Sequence, residues 1–221
     1  MSMLGVVGGG GGGGGGVAAT VVDFMAMSAF SRTGTGTFTV DGISAEVVEF
    51  TSTSVEVTAA GLGQTGSGLT RIEFDMADLD AGFDATKPWE VVAILSADSG
   101  GYGVSIGADT NNRIGVQRQK GSSNMQALIV VAGSTTGTVT AVTAATHRAI
   151  AAFCPGKRQV MVAFEDTTKP TSTDTRWADL NNYGTANANN GASLGGSKLH
   201  FDFYDSTTTK IEKVLIFNHR N

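Results

Sequence analysis

The chain has 221 residues, a formal net charge of -5, 16% charged residues and 41% hydrophobic residues. That is enough apolar material for one sizeable core and too little length for two full domains. The acidic balance excludes a partner held mainly through nucleic-acid phosphates, which needs clustered Lys and Arg. Thr, Val, Ile and Phe are plentiful where helix formers are scarce, so the composition points to β structure.

In chain order, the first feature is a run of nine glycines, Gly8, Gly9, Gly10, Gly11, Gly12, Gly13, Gly14, Gly15 and Gly16. It carries no side chains to pack, and residues 1–20 are expected to form a tether or arm outside a single domain spanning 21–221. No basic segment precedes the glycines and no apolar run follows Met1, so neither a signal peptide nor a membrane span is expected. Next comes the clearest hairpin: Thr37 to Val40, an Asp41-Gly42 turn of the type that needs positive φ angles, then Ile43 to Phe50.

Further strands are predicted at Ser54 to Ala59, Leu69 to Asp75, Trp89 to Ser96, Tyr102 to Gly107, Arg113 to Gln119 and Met125 to Val131. The series continues with Gly137 to Val142, His147 to Phe153, Gln159 to Glu165, Lys198 to Tyr204 and Ile211 to Phe217. Between the last two pairs, Asp166 to Ser193 reads as a surface excursion rich in Thr, Asn and Ala. The strand count and spacing fit an all-β antiparallel sandwich or jelly roll.

Three segments of the C-terminal part resemble the concanavalin A-like, laminin G-like jelly-roll superfamily over about residues 69–221. They are Thr146 to Phe153, Gly156 to Asp166, and Ile211 to Arg220, the last similar to that family's closing hydrophobic strand ending in Asn and Arg. Thr146 stands where that family usually has Trp, and Asp166-Thr167 where it has Asp-Gly. The glycine run, low charge and Thr/Gly-rich strands are also similar in style to bacteriophage virion proteins. That second likeness implies a capsid decoration, head-fibre or tail-fibre component located in the virion and made in the host cytoplasm. Its partners would be other virion subunits and copies of itself, with Gly8–Gly16 as the assembly arm.

The alternative is a carbohydrate-binding module for a surface glycan, with Trp177, Tyr183, Asn187 and Asn189 as a ligand rim. Calcium is a further implication of the laminin G-like likeness: Asp98, Asp109, Asn111 and Asn112, or Asn187, Asn189 and Asn190, carry suitable oxygens. No ligand-loop consensus is met, so no cofactor is expected, and the same residues serve as ordinary turn formers.

Glu73-Phe74-Asp75-Met76-Ala77-Asp78 is the most enzyme-like string, since laminarinase-type glucanases place Glu-x-Asp-x-x-Glu on one strand. The third carboxylate here is Asp78, no aromatic platform surrounds it, and a solvent-facing strand edge with an Asp-rich turn accounts for it. His147, His200 and His219 have no Cys or carboxylate at metal-ligand spacing, so no metal is expected. Cys154 has no second cysteine to bond and reads as strand-end packing. Arg113, Arg118 and Lys120 read as a solvated basic spot. A non-enzymatic binding or assembly protein is the expectation.

Overall fold

The computed structural model describes residues 5–7, 19–50, 54–85, 87, 89–96, 101–118, 124–136, 139–141, 146–154, 159–165, 184–187, 198–204 and 209–218. Gly8 to Gly16 lie outside them, but their flanks do not: β1 (Gly5–Val7) pairs antiparallel with β2 (Ala19–Asp23). Asp23 ends β2 and caps a short 3-10 turn, Phe24–Ala26, its carboxylate accepting from the Met25 amide at 3.2 Å. β3 (Phe30–Thr33) and β4 (Gly36–Val40) follow, joined by a corner that Arg32 fastens by donating to the Thr35 and Thr37 carbonyls.

The expected hairpin forms: β4 turns into β5 (Ile43–Phe50) through Asp41 and Gly42, both at positive φ. β6 (Ser54–Thr58) and β7 (Gly61–Gln64) make a second hairpin, then come β8 (Leu69–Asp75) and one short helix, α1 (Met76–Leu79). The remaining strands are β9 (Trp89–Ser96), β10 (Gly101–Asp109), β11 (Asn112–Arg118), β12 (Asn124–Val131), β13 (Ser134–Thr136) and β14 (Val139–Ala141). β15 (Thr146–Cys154), β16 (Gln159–Glu165), β17 (Gly184–Asn187), β18 (Lys198–Tyr204) and β19 (Lys210–Asn218) complete the chain.

These strands form two antiparallel sheets. The first runs β17-β16-β15-β9-β19-β7-β6-β3, with β2 also on β19 and β1 on β2; the second runs β13-β12-β11-β10-β18-β8-β5-β4, with β14 on β12. Alternate residues of both sheets meet in one apolar core that includes Val55, Leu62, Ile72, Val91, Val104, Leu199 and Val214. This is an all-β antiparallel sandwich.

Aromatic rings set the spacing at one end. Phe24 from the 3-10 turn, Phe74 from β8 and Phe201 from β18 form a triangle with every centroid pair 5.8 Å apart. At the edge, Phe30 of the first sheet stacks on Phe38 of the second at 4.9 Å, closing the sandwich there. Asn218 ties the loop after α1 to the last strand, accepting from the Asp84 amide at 2.7 Å and donating to its carbonyl at 3.0 Å.

Strand β7 was not visible in the sequence, and its start shows why glycine is needed. Gly61 sits at φ +111, and a methyl there would fall 2.3 Å from the Ile211 carbonyl oxygen of neighbouring β19. Gly61→Ala is expected to cost about 1–3 kcal/mol through backbone strain and overlap, read as a lowered denaturant midpoint at unchanged m. β1, β2, β3, β13 and β17 are likewise absent from the sequence reading; β1 lies in the segment expected to be an arm and β17 in the stretch expected to be a surface excursion.

Candidate functional site

Strands β8 and β18 carry opposite chemistry on their two faces. On β8, Ile72 and Phe74 enter the core while Arg71, Glu73 and Asp75 point away from it; on β18, Leu199, Phe201 and Phe203 enter while Lys198, His200, Asp202 and Tyr204 point away. Side chains alternate along a strand, so this period-2 pattern gathers seven polar groups on the outer face of the second sheet. Register then aligns them sideways. Glu46 of β5 is opposite Glu73, Glu73 opposite His200, and His200 opposite Ser105 of β10.

The foundation of this face is a buried ion cluster. Asp202, 1% exposed, accepts from Arg71 Nε at 2.5 Å and Arg71 Nη2 at 3.1 Å, from Arg113 Nη1 at 2.7 Å, and from the Tyr204 hydroxyl at 3.0 Å. Three of the four donors converge on Oδ2 and one on Oδ1, so the carboxylate is crowded by its partners on one oxygen. Burial by itself would raise the Asp202 carboxyl, but the hydrogen bond from Arg71 and the charge of Arg113 hold it below its ordinary value. Tyr204 moves the other way, because burial and the Asp202 charge both disfavour its phenolate, so it remains a donor.

Arg113 corrects the expectation of a solvated basic spot: it is 7% exposed and its guanidinium reaches Asp202 from β11. The strands between have the room for it, since the outward positions of β10 and β11 that flank this path are Gly103, Ser105, Gly107 and Gly115. At Gly107 and Gly115 a methyl would lie within about 2.5 Å of the neighbouring strand's backbone, so these positions accept no larger residue.

Above this foundation the groups become more accessible. The Glu73 side chain is 11% exposed, Lys198 29% and Asp75 51%. Lys198 Nζ pairs with Asp75 at 2.9 Å, which raises the lysine pKa. His200 is wholly buried, and its Nδ1 lies 3.2 Å from Glu73 Oε1 without the direction of a hydrogen bond; neither ring nitrogen has a hydrogen-bond partner. The His200 ring beside it, outweighing burial, holds the Glu73 carboxyl below its ordinary value.

The enzyme-like string is therefore not at a strand edge. β8 lies between β18 and β5, so Glu73 and Asp75 occupy the interior of the sheet, whereas Asp78 sits exposed in α1 beyond the strand's end. His200, read as lacking a carboxylate at ligand spacing, meets one across strands. No group of three or more His, Cys, Asp or Glu side chains suited to a metal occurs among the described residues.

Of the predicted rim, Asn187 ends β17 at the edge of the first sheet, the sheet opposite this face; Trp177, Tyr183 and Asn189 lie outside the described residues. Of the calcium candidates, Asp109 is occupied in turn bonding, accepting from the Asn111 amide at 2.7 Å and from Asn112 Nδ2 at 3.2 Å, and Asn112 accepts from the Ala132 amide. Asp98, Asn189 and Asn190 are outside the described residues.

The sequence matches no protein-family model and no curated protein. The fold is similar to that of a Trypanosoma rangeli sialidase in complex with sialic acid, with TM-score 0.51 and 15% identity over 87% of this chain and 30% of that one. The same sialidase bound to 2,3-difluoro-KDN gives TM-score 0.52 and 14% identity over 93% of this chain and 31% of the sialidase. The apo Crh5 transglycosylase gives TM-score 0.51 and 12% identity, covering 87% of this chain and 85% of that protein. The chain thus spans about a third of the sialidase's length and most of the transglycosylase's. At these identities the likeness is one of fold.

Proposed function

We propose that this chain is a carbohydrate-binding module whose glycan lies on the outer face of the second sheet, against Glu46, Glu73, Asp75 and Lys198. The observation that carries the reading is the in-register row from Glu46 through Glu73 to His200, mounted on a neutralising cluster that fixes it from below. Neighbouring strands are about 4.8 Å apart and alternate residues about 6.7 Å, so the row offers planar acceptors at intervals suited to hydroxyls around a sugar ring. A side chain locked by its neighbours loses little entropy when it meets ligand.

The fold likeness is in keeping with this: the sialidase structures hold sialic acid and 2,3-difluoro-KDN, and the third neighbour is a transglycosylase. Held below its ordinary value, the Glu73 carboxyl is an ionised acceptor for ligand hydroxyls.

The other expectation, a virion subunit located in the particle, drew on a glycine arm reaching a neighbouring copy. Val7 and Ala19 are register partners, so the segment carrying Gly8 to Gly16 starts and ends on this chain's own sheet. That leaves the binding reading better supported.

The test is a glycan array with wild type, Glu73→Gln and Trp177→Ala. Loss of a charge-assisted hydrogen bond is worth about 1.5–3 kcal/mol, so Glu73→Gln should weaken binding tenfold or more, with a cooperative melting curve showing that the variant still folds. Absence of any bound glycan overturns the reading. Loss on Trp177→Ala with Glu73→Gln unaffected moves the site to the 166–183 stretch.

A further inference from the structure

We draw no further inference here: the strongest candidate, the apolar outer face of the first sheet, where Ala19 and Val21 of β2, Leu215 and Phe217 of β19 and Val92 of β9 cluster apart from the main core, carries nothing because no described residue shows what covers it.

Discussion

Replacing Asp202 with alanine is expected to remove about 3–5 kcal/mol of stability, because it strands two guanidiniums in a site almost closed to water. The carboxylate accepts from Arg71, Arg113 and Tyr204 together, and its removal takes one shared acceptor from all three. Urea unfolding gives the number directly, and a loss under about 1 kcal/mol would show that the arginines find water or other acceptors. Asp202→Asn should fall between, keeping shape and some acceptance while losing charge. The same group sets the response to acid. Its folded pKa is depressed below 3.8, so its stabilisation is complete above that value and fades as pH falls below it through the folded pKa. Glu73 shifts in the same direction and adds to the slope. Wild type should therefore lose stability steeply below about pH 4, and Asp202→Asn should show a shallower loss.

Phe201→Ala should be as damaging for a different reason. Phe201 is fully buried on β18 and touches Phe24 and Phe74 edge-on, at interplanar angles of 81° and 75°. Truncation leaves a cavity bounded by two rings and by strands that cannot close in, since β18 is held on both sides by β8 and β10. Deleting a buried Phe costs about 3–5 kcal/mol, and the lost edge-to-face pairs add to the area term. Phe201→Leu should recover more than half of it. If Phe201→Ala costs under about 2 kcal/mol, the ring triangle is not the keystone of that end of the sandwich.

Much of the sandwich was legible because its signals are local. Asp41-Gly42 specifies a tight turn by its own backbone preferences, and the alternation in Leu69 to Asp75 or Lys198 to Tyr204 identifies a strand with one wet face. β7 was not legible: Gly-Leu-Gly-Gln has no alternation, and glycine is there to let β19 approach. The candidate site was half visible. Arg71-x-Glu73-x-Asp75 and Lys198-x-His200-x-Asp202 each show a polar face, yet nothing local says that Arg71 meets Asp202, 131 residues later. Only register supplies that. Arg113 was misread for the same reason, since a guanidinium near other basic residues looks solvated until the small side chains of adjacent strands reveal space for it.

The pairing of β1 with β2 has a bearing on how this sequence can vary. Val7 and Ala19 are register partners, so the chain between them must span a fixed separation, and the entropic cost of closing such a connection grows only as the logarithm of its length. Gaining or losing three glycines shifts that cost by roughly 0.2–0.3 kcal/mol. A homopolymeric tract in this position is thus a place where length can drift between otherwise identical chains with almost no thermodynamic trace in the sandwich.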